Sequence, residues 1–439
     1  MNETAADTLI QASWIAPVAP GDVLRDHTIV VRHGRILELL PAAEARARHP
    51  GVESVELPGQ LLIPGLVNAH THAAMSLFRG LADDLPLMTW LHEHIWPAEG
   101  RWISEAFIAD GTALAAAEML RGGTTCFNDM YFFPDVTARV CSKAGLRAVV
   151  GLIVIDFATA WAEHIDDYFD KGLKVHDAWR GDPLIHTAFA PHAPYSVSDA
   201  PLQRLRLLAD ELDIPVHIHL HETRDEIRQG LASHGQRPIA RLDGLGLIGP
   251  RLVAVHMTQL EDDEIALIAE RGARVVHCPE SNLKLASGFC PVARLAEAGV
   301  ELALGTDGAA SNNDLDMIDE MRSAALLAKG VAASATALPA PEVLRMATLN
   351  GARALGLEAH IGSLEAGKSA DIVAVDLNAI NTQPVYDPVS QLVYSAGREQ
   401  VSNVWVAGRR VLHDGRLTTL DESELRARAQ AWRARIAAQ

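Results

Sequence analysis

His70-Thr71-His72 places two imidazoles at alternate positions, where an extended strand turns both side chains toward one point. Alone, that pair would be unremarkable. Further along stand His192, the trio His217, His219 and His221 with Glu222 beside it, His256, and Asp307, each at the end of a short apolar run. Imidazoles and a carboxylate gathered from several strand ends make a site for zinc or another borderline divalent ion. The histidines at 217, 219 and 221 share one parity, so alternation does not choose among them. No lysine closes the run that precedes His192, because Lys171 and Lys174 fall upstream in a helical stretch. The carbamate bridge of a two-metal centre therefore has no source, and one ion is expected.

The elements that must carry these residues are legible as apolar runs. Eight occur between residues 61 and 304: Leu61 to Ala69, Thr124 to Met130, Ala148 to Ile155, Leu184 to Ala190, Val216 to Leu220, Leu252 to Val255, Ala273 to Val276 and Glu301 to Leu304. Amphipathic stretches such as Leu202 to Ala209 separate them with the helical period. Eight strand–helix units predict a closed (β/α)8 TIM barrel, an α/β fold whose catalytic groups sit at the C-terminal strand ends. Both chain ends read differently, as short β-branched strands broken by turns such as His33-Gly34 and Asp414-Gly415. They are expected to pair into a small β-sandwich, dividing the chain into 1–63, a barrel over 64–363, and 364–439. The last stretch, Asp421 to Gln439, predicts a terminal helix with Asp421 and Glu424 as a capping-box-like start and its arginines in solvent.

Charge narrows the partners. With 38 Lys and Arg against 56 Asp and Glu, the chain carries a formal charge of -18, which opposes nucleic acid or an anionic membrane. Four scattered cysteines make no disulfide framework. The opening Met1-Asn2-Glu3 lacks the basic and apolar stretches of a signal peptide, and no apolar run is long enough to span a bilayer. A soluble cytoplasmic protein is expected.

The segments Pro64-Gly65-Leu66-Val67-Asn68-Ala69-His70-Thr71-His72, His219-Leu220-His221-Glu222-Thr223, Ser281 to Leu285, Gly305 to Asn313 and Gly362 to Asp371 together resemble the amidohydrolase superfamily. The likeness is to the branch that holds the methylthioadenosine/S-adenosylhomocysteine deaminases and the triazine hydrolases, and it runs nearly end to end. It implies that His70, His72, His219 and Asp307 hold the metal, zinc or else iron, one ion per subunit. His219 is chosen from its trio because the family's acid/base glutamate follows that ligand by three positions, at Glu222. His256 matches a histidine near the attacking water. Glu99 and His192 match positions that contact a nucleoside, with Glu99 suited to the ribose hydroxyls, and Trp90 matches an aromatic packed on the ligand. Rim surfaces in this branch frequently pair, so a homo-oligomer is compatible with the resemblance.

Chemistry agrees with those roles. Asp307 can take a proton from an activated water, a raised-pKa Glu222 can protonate the ring nitrogen beside the amino-bearing carbon, and His256 can stabilise the oxygen that forms. Some relatives that accept S-adenosylhomocysteine carry arginines on and after the third strand. Here Val149 to Trp179 contains none, and Leu152 stands where the resemblance leads one to look for it. The run Leu152 to Ile155 and Phe157 suit a methylthio group, so 5′-methylthioadenosine is the expected substrate, with S-adenosylhomocysteine disfavoured. The alternatives are a guanine or pterin deaminase, or an aminotriazine hydrolase, at the same metal site. A catalytically silent homologue should have lost ligands, and none is lost.

Overall fold

A computed structural model describes residues 6–438; the opening Met1 to Ala5 and Gln439 lie outside the described residues. Eight strands form one parallel sheet: β1 (Leu66–Thr71), β2 (Thr124–Asp129), β3 (Arg147–Val154), β4 (Ile185–Pro191), β5 (Val216–Leu220), β6 (Leu252–His256), β7 (Arg274–His277) and β8 (Leu302–Leu304). Nearly every residue in them is buried, as expected when helices cover a parallel sheet. The covering helices show the matching period. In Asp199–Leu212 the buried residues include Leu202, Leu205 and Ala209, spaced three and four apart.

The sheet closes into a barrel where β8 meets β1. The Asp307 amide donates to His70 O at 3.0 Å, and Asn68 Nδ2 donates to Thr306 Oγ1 at 2.7 Å. Gly305 permits this approach, since a Cβ there would lie 2.8 Å from the His70 nitrogen. Residue 65 brings a departure from expectation. The apolar run Leu61 to Ala69 is two strands, because Glu53–Pro64 ends at Pro64 and β1 begins at Leu66. Between them the Gly65 amide donates to Asp371 O in the second sheet, and the Leu66 amide to Gly123 O in the barrel.

That second sheet joins both chain ends. Glu53–Pro64 pairs in parallel with Thr8–Ile15 on one side and antiparallel with Ile372–Asp376 on the other. Leu24–Arg32 and Arg35–Pro41 extend one flank, and Val401–Val406, Arg409–His413 and Arg416–Leu417 the other, giving eight strands. The sheet curls: the Ala370 amide donates to Gly34 O and the Ile36 amide to Lys368 O, each at 2.9 Å, over a core that includes Ile10, Ile29, Leu62, Ile372 and Trp405. Arg147, the first residue of β3, forks onto both oxygens of buried Asp371 at 3.2 Å and so ties barrel to sheet.

The terminal helix spans Glu422–Ala437, with the Asp421 carboxylate accepting from the Ser423 and Glu424 amides. Its arginines are exposed, as expected, though two of them also make contacts with neighbouring groups. Arg428 pairs with Asp110 at 3.0 Å and Arg435 stacks on Trp432, whose buried ring packs edge-on against Phe107. Among the described residues no helix is long and apolar enough to cross a membrane.

Candidate metal centre and active-site cleft

Four histidines at the barrel mouth are oriented by what their Nδ1 atoms meet. His72 Nδ1 lies 2.5 Å from Met130 O, His219 Nδ1 2.8 Å from His192 O, and His256 Nδ1 2.9 Å from Asn282 Oδ1. Carbonyl and amide oxygens only accept, so these Nδ1 atoms carry a proton and each Nε2 is turned inward, where it can hold a metal or a second proton. His70 Nδ1 contacts His217 Nε2 at 2.8 Å, which leaves His70 Nε2 facing Asp307. The same Asp307 Oδ1 is 3.1 Å from His70 Nε2 and 3.2 Å from His72 Nε2. An Nε2 lone pair and a carboxylate oxygen at such distances repel unless a proton or a metal ion lies between them. Among the described residues, His70, His219, His256 and Asp307 can each offer a ligand atom within 4.8 Å of the others. A borderline divalent ion fits this donor set.

The electrostatics reflect the same demand for positive charge. Burial lowers His72, but the bond and charge of Asp307 outweigh it and push the ring up to about 9. Burial drives His70 down to about 4 and His192 to about 3, and places His219 well below its ordinary value. Burial would raise Asp307, yet the two imidazoles hold it far below the carboxylate range. Its other oxygen, Oδ2, accepts from Ser281 Oγ at 2.6 Å and Ser311 Oγ at 2.8 Å. Glu222 is 5% exposed, raised by that burial, and its Oε2 lies 3.9 Å from His256 Nε2.

The backbone that aims these groups is bent. His221, His256, Met257 and Asp307 all adopt left-handed φ values, from 49° to 77°, which bulky residues adopt only where surroundings enforce them. Each strand thereby turns sharply at the rim.

From this centre opens a cleft of about 740 Å³, including its mouth. His72, His192, His219, Glu222, His256 and Asp307 line one end. Much of the remaining lining is apolar, including Trp90, Leu91, Ile95, Ile153, Ile155 and Phe157, and among the described residues no Arg or Lys lines the cleft. Glu99 enters from the side, its Oε1 accepting from Tyr131 Oη at 2.7 Å. Trp90 donates from Nε1 to Ala82 O at 3.1 Å.

The amidohydrolase family matches residues 61–411. This chain belongs to the amidohydrolase family. Within that family it is 52% identical, over 100% of its length and 99% of the relative's, to a 5-methylthioadenosine/S-adenosylhomocysteine deaminase of Teredinibacter turnerae. A 5′-deoxyadenosine deaminase of Methanothermobacter thermautotrophicus is 47% identical over 85% of this chain and 87% of its own. Among solved structures, a zinc-bound adenosine deaminase from Xanthomonas campestris superposes with a TM-score of 0.98 at 57% identity, covering 99% of both chains. An Arthrobacter aurescens atrazine chlorohydrolase, at 22% identity and a TM-score of 0.90 over 97% of this chain and 99% of its own, shares the amidohydrolase fold.

Against the sequence expectations, the structure gathers His70, His72, His219, Asp307, Glu222, His256, His192, Glu99 and Trp90 around one cleft. His256 stands closer to the expected ligands than a residue meeting only water needs to. Both His217 and His219 face into the barrel, each ring centroid 4.9 Å from that of His70, with His219 at the rim. His221, past the strand, turns away and accepts from the Ile239 amide through Nε2. Leu152 needs correcting: it packs outward near Gly172 in the helix Ile165–Trp179, while Ile153 and Ile155 reach the cleft. Sequence reasoning missed Tyr131, and it left Ser281, Asn282 and Ser311 without roles although they lie inside the quoted motifs.

Proposed function

We propose that this amidohydrolase is a hydrolytic deaminase of adenosine-type nucleosides that converts 5′-methylthioadenosine to 5′-methylthioinosine and ammonia. The observation that carries the reading is the cleft itself, which joins a four-imidazole, one-carboxylate centre to an apolar wall without a lining cation. The names of the Teredinibacter and Methanothermobacter relatives support it. We assign His70, His72, His219 and Asp307 to hold one zinc ion, which when bound supplies Lewis-acid activation of water. The chain's own groups do the rest. Buried Glu222 keeps its proton above the ordinary carboxyl range and delivers it to the ring nitrogen; Asp307 receives the proton released by water and passes it to the amino group, whose C–N bond breaks as ammonia leaves and the added hydroxyl returns a proton to Glu222. His256, fixed by Asn282, turns Nε2 toward the attacking water, from whose O–H it accepts. Glu99 accepts from ribose hydroxyls, His192 meets the nucleoside and Trp90 packs on it. All of these residues fall within 64–363, so we assign catalysis to the barrel and support to 1–63 with 364–439. On the same reading the enzyme works in the cytoplasm on free nucleoside, and gel filtration tests for a homo-oligomer.

Specificity follows from the wall. A 5′-methylthio group meets Ile153, Ile155 and Phe157, whereas an amino-acid carboxylate finds no cation and loses hydration. An assay of ammonia release across adenosine, 5′-methylthioadenosine, S-adenosylhomocysteine, guanine and an aminotriazine, with and without chelator, tests this. We expect kcat/KM for 5′-methylthioadenosine to exceed that for S-adenosylhomocysteine by roughly 10-fold or more, corresponding to at least ~1.4 kcal/mol. Equal values would overturn the specificity argument, and release from guanine or the triazine alone would overturn the nucleoside reading.

A further inference from the structure

Glu222 hangs from a bend, and the bend is gripped from behind. Thr223, Arg224, Asp225 and Glu226 have the spacing of a capping box at the start of the helix Arg224–His234, and Thr223 Oγ1 accepts from the Glu226 amide at 3.3 Å. In such a box the third-position glutamate returns to the amide of the cap residue. Glu226 carries its carboxylate further back: Oε1 accepts from the His221 amide at 2.9 Å and Oε2 from the Glu222 amide at 2.8 Å. Glu226 is 3% exposed, so neither amide has water to fall back on; burial pushes its carboxyl up to about 8, while the two amides pull the other way, and both oxygens accept in either charge state. Between β5 and this helix His221 takes a left-handed φ of 52°, unfavourable for a side chain with a Cβ. The carbonyl side of the bend is held as well, since the Thr258 and Gln259 amides donate to His221 O and Thr258 Oγ1 donates to Glu222 O at 2.6 Å.

We propose that Glu226 is a positioning residue, its carboxylate clamping the His221–Glu222 amides so that the Glu222 side chain is aimed into the cleft opposite His256. This rests on the assignment of Glu222 as the proton carrier. The clamp acts on direction, because one residue of altered backbone would swing the Glu222 carboxyl by more than the tolerance of proton transfer.

The test is Glu226→Gln, which keeps shape and one acceptor oxygen but turns an N–H against the second amide. We expect kcat for 5′-methylthioadenosine to fall by about 100-fold, the scale of a 1 Å misplacement, with KM changed by less than about threefold and zinc content unaltered. In a Glu222→Gln background the same change should cost nothing more, because the group it aims is already disabled. Should Glu226→Gln fail to fold, Thr258→Val removes the opposite anchor and is expected to give the same signature. A wild-type kcat in Glu226→Gln, or an equal further loss on top of Glu222→Gln, would overturn the proposal. A wild-type enzyme that releases no ammonia from any nucleoside would instead overturn the function on which it rests.

Discussion

Ring orientation is what distinguishes this histidine cluster from a set of buried polar residues. His72, His219 and His256 spend their Nδ1 protons on fixed oxygens and present Nε2 inward. Two donor sets compete for the ion, one completed by His72 and the other by His256. Metal analysis of purified variants separates them: His72→Asn should lose most of its zinc, whereas His256→Asn should retain about one equivalent and lose turnover. The converse result would make His256 the ligand. Glu99 yields a pH prediction. Burial raises it to about 7, against the opposing pull of the Tyr131 hydroxyl and His72. A raised carboxyl is protonated below that pH and ionised above it, and the ionised form accepts more strongly from ribose hydroxyls. KM for a ribonucleoside should therefore climb as pH drops below about 7. A 2′,3′-dideoxy analogue should show no such rise, and a parallel rise would remove Glu99 from the ribose.

Strands were the legible part of the chain, because a fully covered parallel strand has no alternation to confuse it. Val216 to Leu220 is the same in sequence and structure, and the other runs differ by only a few residues at their ends, Leu61 to Ala69 excepted. That run reads as one strand although Pro64-Gly65 is a breaker signal and the domain boundary falls at 63/64, because hydrophobicity and burial continue across it. The centre was legible as an H-x-H pair with distant strand-end donors. The partners that orient it were less so. Met130 O and His192 O are backbone atoms that any residue supplies, and Tyr131 reaches Glu99 only across the folded rim. The T-x-x-E spacing that brings Glu226 behind Glu222 was not read from the sequence, and where its carboxylate lands has no local signal. At this scale the seam between β8 and β1 is the sensitive joint. Gly305→Ala would thrust a methyl group against the His70 backbone. We expect a lowered Tm together with reduced zinc content, since both strands lead into residues proposed to hold the metal; a stable variant with full zinc would show that the seam yields without disturbing the centre.

Barrel and curled sheet are coupled through a buried fork. Arg147 and Asp371 are 4% and 2% exposed in their side chains, and Asp371 also accepts from the Ala407 amide. Removing one partner strands the other's charge, so Arg147→Ala should cost about 3–5 kcal/mol, read as a lower urea midpoint. A shift within error would mean that water reaches the pair. The sheet's pairing has a different kind of consequence. Glu53–Pro64, a central strand, finds one neighbour nearby in Thr8–Ile15 but the other only at Ile372–Asp376. During synthesis that flank stands open while the ribosome makes the whole of the intervening chain. For that interval the nascent protein displays an unpaired, apolar edge ending in Leu61-Leu62-Ile63, the kind of surface that recruits holdase chaperones or sticks to another copy of itself. Completion of this sheet therefore waits until Ile372–Asp376 has been made.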